Sequence, residues 1–376
     1  MSHFKLLNYK LITAATILLL IGLVMVASTS MTIAQTRFEQ PLHYFWQQLI
    51  YVMVGVGLSL IVINVKIQIW QKWSVFLLLF GTLLLILVLV PQIGHEVNGS
   101  MRWIRIAGVN FQPSELMKLF TILYLAGYLI RRSQAVRETS RGFLNSMLVL
   151  ILITGLLLLE PDYGATVVLL ATALGMLFLA GVPMRQFILW MTVVGVALIG
   201  LILLAPYRLE RLTIFMNPWA DPFNSGFQLT QALIAIGRGE LFGVGLGMSV
   251  QKLTYLPEAH TDFLFAILAE ELGLMGVIVV IALLTFIISQ AFFIALKAER
   301  NNLYFNAYVA YGIGLMIALQ AGINLGVNMG LLPTKGLTLP LMSYGGSSIL
   351  VTCIMLALLV RIDYETHLQT SKTHVA

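Results

Sequence analysis

The chain has 376 residues, of which 59% are hydrophobic and 10% charged, with a formal net charge of +6 and a mean hydropathy of +0.92. Soluble domains run at about 45–50% apolar and about 25% charged, so a soluble enzyme and a disordered chain are excluded. One cysteine, Cys353, and no basic cluster interleaved with aromatics exclude a disulfide framework, a thiolate metal cage and a nucleic-acid binder.

In chain order, Met1–Lys10 followed by apolar Leu11–Ser30 has the outline of a signal peptide. Its apolar core exceeds the roughly 7–15 residues of such a segment, so it reads as an uncleaved first span. Apolar runs lie near 11–31, 45–65, 74–91, 113–130, 143–160, 164–182, 186–206, 262–296, 303–330 and 343–361. Each approaches the roughly 20 residues that a spanning helix needs. The expectation is an all-α polytopic membrane protein, a single transmembrane domain over 1–376 with about ten transmembrane helices. The run at 262–296 is long enough to hide a kink or an interfacial turn.

Basic residues mark the cytoplasmic side. Lys5, Lys10, Lys66, Lys72, Arg131, Arg132, Arg137, Arg141, Arg185, Lys297, Arg300 and Arg361 gather there if both termini are cytoplasmic. Two outer loops then stand out, 92–112 and, between spans 7 and 8, the large 207–261; the second carries Arg208, Glu210 and Arg211. Long loops on a rigid scaffold are where function tends to sit, so chemistry is expected at the outer membrane boundary.

In the first outer loop Arg102-Trp103-Ile104-Arg105 sets an aromatic between cations, as an interfacial anchor or a phosphate and sugar platform. Glu115 and Lys118 are three apart on one helical face, so they neutralise one another or present Lys118 to an anionic headgroup. The glycines of 237–247 free backbone N–H groups for close approach to a ligand, without matching a Walker or dinucleotide fingerprint. Leu256-Pro257-Glu258-Ala259-His260-Thr261-Asp262-Phe263 enters the eighth span. Asp262 there is either a helix cap or a carboxylate whose partial desolvation makes it a proton acceptor, with Glu258 and His260 near enough to orient it. Glu270 and Glu271 lie deeper, and buried acids need partners; a structural ion pair is the favoured reading. Lys335 is a solvated loop lysine or a pyrophosphate contact, and Ser343 belongs to the same late polar cluster.

These motifs, with Gln228-Leu229-Thr230-Gln231, Gly237-Arg238-Gly239-Glu240 and Ser343-Tyr344-Gly345-Gly346-Ser347, run in order along the chain and resemble the SEDS family. The Glu-Ala-His-Thr-Asp form, with Gln251-Lys252-Leu253 upstream, is similar to its division branch rather than its elongation branch. The resemblance implies a multi-pass protein of the bacterial cytoplasmic membrane at the division septum. It implies a glycosyltransferase that polymerises lipid II on the outer face and releases undecaprenyl pyrophosphate. Asp262 matches the family's essential aspartate; Arg102, Trp103, Arg105 and Lys335 match its loop residues. Gln231, Arg238, Lys252, Glu258, His260 and Ser343 join Glu115 and Lys118 as substrate-binding candidates. Thr254 departs from the glutamate that relatives often carry, which moves any second carboxylate role to Glu258 or removes it.

The resemblance further implies a class B penicillin-binding protein, the division transpeptidase, and other divisome proteins as partners. No residue cluster has metal-ligand spacing; basic side chains are expected to meet the leaving pyrophosphate, a divalent cation such as Mg or Mn being left open. A lipid II flippase and a noncatalytic division scaffold are the rival classes.

Overall fold

Inside hydrocarbon a backbone must satisfy its own N–H and C=O groups, so apolar runs fold as helices. In the computed structural model, which describes residues 8–97, 100–106, 109–203, 213–253 and 255–373, each expected run coincides with one. Lys5, Arg208, Glu210, Arg211 and Thr254 lie outside the described residues. The helices are α1 (Tyr9–Phe38), α2 (His43–Asn64), α3 (Ile67–Val88), α4 (Pro113–Arg131), the short α5 (Ser133–Glu138), α6 (Ser140–Leu159), α7 (Tyr163–Leu179) and α8 (Met184–Leu203). There follow α9 (Phe227–Arg238), α10 (Leu264–Arg300), α11 (Tyr304–Asn328) and α12 (Gly346–Thr373). Among the described residues, eight helices are long and apolar enough to cross a membrane. The other two expected spans differ in kind: α7 has 17 residues, and α4 buries Glu115 and Lys118.

The bundle is centred on α11 and α12, whose apolar windows are 67% and 78% buried, whereas that of α8 is wholly open. At one end Lys297 lies 3.4 Å from Asp363, to which the Asn8 amide also donates at 3.1 Å, and Arg361 donates to the Ile63 carbonyl. The opposite end gathers the α2 and α12 N-termini, the α6–α7 turn and the segment before α10.

Two departures from the sequence reading matter for the site. The expected loop 92–112 contains a three-stranded antiparallel sheet, β1 (Gly94–Val97), β2 (Ser100–Ile106) and β3 (Val109–Phe111), ordered β1-β2-β3. Trp103 pairs with His95 and Arg105 with Asn110. The second is in α10, which runs 37 residues through a break at Gly273 (φ 64°, ψ −165°). The backbone of 240–245 fills that break: Val244 N–H donates to Glu270 O at 2.9 Å and Gly245 N–H to Glu271 O at 3.1 Å. In return Leu274 N–H donates to Glu240 O at 2.9 Å. A Cβ on Gly243 would lie 2.2 Å from the Glu271 carbonyl oxygen. Gly243, like Gly239, therefore lets two backbones touch, and the N–H of Gly245 is taken by the Glu271 carbonyl, which corrects for these three the expectation that the glycines' N–H groups face a ligand.

Candidate functional site

The segment before α10 is a tight turn closed by Glu258. Its backbone sits at φ 57°, its carbonyl accepts from the N–H groups of Thr261 and Phe263 at 3.2 Å, and its carboxylate accepts from the Thr261 hydroxyl at 2.7 Å. Helix α10 begins after Phe263, which provides no side-chain cap. The N–H of Ala266 is shared between the Phe263 carbonyl at 3.0 Å and Asn328 Oδ1 of α11 at 3.1 Å. An amide from another helix thus takes the place that a capping Asp262 would have filled. The Asp262 carbonyl is held too, accepting from Asn324 at 2.9 Å and Asn328 at 3.0 Å. Its side chain is half-buried.

His260 is buried, its ring packed against Tyr44 and Tyr344 at centroid distances of 4.8 and 5.5 Å. Burial pushes its imidazole below the ordinary value, against the pull of Glu258 and with help from Arg37. A neutral ring fits an aromatic cage. The Tyr344 N–H donates to the His260 carbonyl at 2.9 Å, tying the start of α12 to the Asp262 turn. Ser343 closes its own turn, accepting from Leu339 N–H at 2.9 Å.

A second loop faces that turn. Gly336 lies so near Asp262 that a Cβ added there would stand 3.1 Å from Oδ2. The neighbouring Lys335 ammonium sits 3.7 Å over the Tyr163 ring centroid, a cation–π arrangement that orients it. Tyr163 is placed by the α6–α7 turn. There Asp162 caps α7 through Ala165 N–H and accepts from Gln112 and the Ser114 hydroxyl, each at 3.1 Å. Arg102 of β2 donates to the carbonyls of Glu160 (3.2 Å) and Pro161 (2.6 Å). The expected phosphate contact is therefore holding the turn beneath Tyr163. Glu160 is fully buried, and its carboxyl oxygens have no hydrogen-bond partner. Burial first, then the Asp162 charge, push it up to about 9 against Arg102, so it is protonated at neutral pH. Trp103 is half-buried and Arg105 exposed on the same sheet.

Below, the buried Lys118 donates to Glu115 at 2.8 Å and to Gln320 Oε1 at 2.9 Å. The pair neutralises itself, and through Gln320, which donates to Thr338 O at 3.1 Å, it reaches the Lys335 loop.

Arg238 and Lys252 are seated elsewhere. Arg238 Nη1 is 3.0 Å from Glu270 Oε1, and Lys252 Nζ is 2.7 Å from Glu271 Oε1 and 2.8 Å from the Ser28 hydroxyl. Ser249 and the Val250 N–H complete the Glu270 shell. These carboxylates follow Asp262 by roughly two helical turns, about 12 Å. The second polar cluster is thus a latch on the 239–253 loop, the structural pairing favoured above. Gln231 is half-buried on α9.

Sequence reasoning missed Gln320, Asn324 and Asn328. Their signal is legible in retrospect, since amides at four-residue spacing in an apolar span share one face and need partners. Among the described residues, no three His, Cys, Asp or Glu side chains are grouped to hold a metal ion.

The FtsW/RodA/SpoVE family model, described as cell cycle protein, matches residues 9–368. A relative from Nitrosococcus halophilus, a probable peptidoglycan glycosyltransferase FtsW, is 56% identical over 356 residues, covering 95% of this chain and 92% of that protein. Among solved structures, a chain of a peptidoglycan synthase complex, described for structural coordination of polymerization and crosslinking, superposes with a TM-score of 0.78. It is 27% identical and covers 96% of this chain and 98% of that one. The rod shape determining protein RodA of Thermus thermophilus superposes with a TM-score of 0.70 at 27% identity, covering 96% of this chain and 98% of that one.

Proposed function

The chain belongs to the FtsW/RodA/SpoVE family of cell-cycle proteins, and from that premise we propose that it is a peptidoglycan glycosyltransferase that polymerises lipid II during septal wall synthesis. The donor sugar is α-linked to a lipid pyrophosphate and the product linkage is β-1,4, so one in-line displacement suffices. The 4-hydroxyl of the acceptor attacks the anomeric carbon as the bond to pyrophosphate oxygen breaks. Asp262 takes the hydroxyl proton, and undecaprenyl pyrophosphate leaves with the bonding electron pair. Inversion requires one base and no covalent intermediate.

The observation that carries this reading is the pairing of Asp262 with the Gly336 backbone, 3.1 Å from the place of a Cβ, beside a lysine held over Tyr163. A proton acceptor and a cation for a leaving pyrophosphate then share one site. Lys335 serves the leaving group, with the exposed Arg105 near the rim, whereas Arg238 and Lys252 serve the latch. The likeness to a chain of a synthase complex supports a penicillin-binding partner, and we assign the class B, single-span type. The exposed Trp219 and Phe223 of the large loop supply apolar surface for its extracytoplasmic part.

The test is purified protein with that partner and labelled lipid II in detergent. Glycan polymer supports a transferase; transport without polymer in liposomes indicates a flippase, and neither activity a scaffold.

A further inference from the structure

Three amides stand on one face of α11 at four-residue spacing, Gln320, Asn324 and Asn328, and all three are at least nine-tenths buried. An amide in such a place is retained only where its donors and acceptors are met. Here the partners outside α11 belong to the two loops that form the site or to the helices packed against them. Asn324 holds the middle. Its nitrogen donates to the Asp262 carbonyl at 2.9 Å and to the Leu337 carbonyl at 2.6 Å. An amide nitrogen has two hydrogens, and here one goes to the segment with the aspartate and the other to the loop with Lys335.

The flanking amides fix the two ends of this bridge. Asn328 donates to the same Asp262 carbonyl at 3.0 Å and accepts from Ala266 N–H at 3.1 Å, so it locks the Asp262 turn to the first turn of α10. Its nitrogen also donates to the Asn324 backbone carbonyl at 2.9 Å, within α11. Gln320 donates to Thr338 O at 3.1 Å and accepts from Lys118 at 2.9 Å, so it locks the far side of the Lys335 loop to the α4 ion pair. Neither loop contains a regular element that could set its distance from the other. A rigid helix supplies that distance.

We propose that the amide stripe of α11 is the spacer of the catalytic site, and that Asn324 is a positioning residue that sets the separation of the Asp262 carboxylate from Lys335 by holding both loop backbones at once. This rests on the polymerase reading above. Asn324 touches neither substrate nor the reacting atoms; it acts through two carbonyls. Near-attack geometry is sensitive to small displacements, a misplacement of about 1 Å being able to cost on the order of 100-fold. Losing Asn324 should therefore lower turnover with little change in donor affinity.

The decisive variant is Asn324→Asp, which keeps the shape and removes both donors. It is assayed with the partner on lipid II beside wild type and Asp262→Asn, with kcat, KM, the pH profile and the melting temperature all measured. The expected result, per folded molecule, is a kcat lowered at least 10-fold, with KM within about twofold and an unshifted pH profile, beside a lower melting temperature from the two carbonyls left without a donor. If Asn324→Asp fails to accumulate in the membrane, Asn324→Ser, which shortens the reach without adding charge, carries the same test and the same expectation. Wild-type kcat in the folded variant overturns the proposal. So does a loss that merely follows the folded fraction, with kcat per folded molecule unchanged. Absence of polymer from wild type would instead sink the polymerase reading, so the two failures are distinguishable.

Discussion

Replacing Asp262 by asparagine separates a base from a cap. The fold hangs on the backbone of this residue, whose carbonyl accepts from Asn324 and Asn328 at 2.9 and 3.0 Å, and the N–H of Ala266 at the start of α10 also donates to Asn328. Asparagine leaves all three bonds in place and matches the side-chain volume. Stability should therefore move by no more than about 1 kcal/mol, the upper range for a change of charge on a partly exposed side chain. Activity should behave otherwise, because an amide cannot accept the acceptor-hydroxyl proton. Loss of one general base costs roughly 10²–10⁴-fold, or about 2.7–5.4 kcal/mol of barrier. The assay is polymerisation of labelled lipid II by the purified protein with its partner, read as initial rates, with thermal unfolding of the same samples in detergent. Activity of the Asp262→Asn variant above about a tenth of wild type would refute the reasoning. So would a melting temperature that falls in step with activity, for then the side chain would be structural after all.

Lys335→Ala should raise the KM for lipid II by roughly 1.5–3 kcal/mol of lost charge-assisted phosphate contact, whereas Arg361→Ala, at the opposite end of the bundle, should not; equal kinetics would remove the leaving-group role. Lys252→Ala strands Glu271, which is fully buried and 2.7 Å from the ammonium, so unfolding in detergent should show about 3–5 kcal/mol of lost stability. Glu160 is raised from 4.5 to about 9 in the fold, so between those values the folded chain binds a proton that the unfolded chain has released. Stability therefore falls as pH rises through that window, by up to about 1.4 kcal/mol per pH unit from this group. Glu160→Gln should flatten that slope and be the more stable form at about pH 8, inside that window; an unchanged slope would show that Glu160 ionises normally.

The helices were legible because hydrocarbon imposes one rule, a long apolar run, on every span. The length of the 262–296 run allowed a kink in α10 but did not place it, since Gly273 is only one of many glycines in the chain, and a φ of 64° leaves no mark in composition. The small sheet had a signal that hydropathy does not weigh: the sequence Asn-Gly at 98–99 is of the kind favoured in hairpin turns, and β-branched and aromatic residues follow it at Trp103, Ile104 and Ile106. The glycine-rich 237–247 stretch was open to two readings because a ligand and a second backbone both require a missing Cβ; only the 2.2 Å approach at Gly243 decides between them. Of the candidate site, Asp262 and Lys335 stood out in the sequence as the charged residues of distinctive polar segments, and the fold brings their segments together. Asn324 and Asn328 were missed because two neutral amides hardly change the hydropathy of a 25-residue helix. That Arg238 and Lys252 pair with Glu270 and Glu271 was not legible, since the partner of a cation is set by tertiary register, which sequence spacing does not reveal.

The two polar clusters on α10 also constrain how a partner on the large loop acts on Asp262. That loop is latched by Lys252–Glu271, both side chains nearly inaccessible, and by Glu270 with Arg238, Ser249 and the Val250 N–H. Coupling between sites is typically about 1–3 kcal/mol, whereas breaking one buried pair costs about 3–5 kcal/mol. A partner acting within that range leaves the latch closed. The latch is then a fixed pivot, and movement passes to what lies between it and Asp262, the turn in which Leu256 N–H donates to Gln251 O at 2.9 Å and Glu258 closes over Thr261. The far side of that turn is also fixed, by the carbonyl held between Asn324 and Asn328. With both ends anchored, movement is confined to the short turn that carries Asp262. Stimulation by the partner should therefore be lost when the turn is loosened, as in Glu258→Ala, while Lys252→Arg, which keeps the latch charge, leaves it in place. Partner stimulation that survives Glu258→Ala in the same lipid II assay would show that coupling reaches the aspartate by another route.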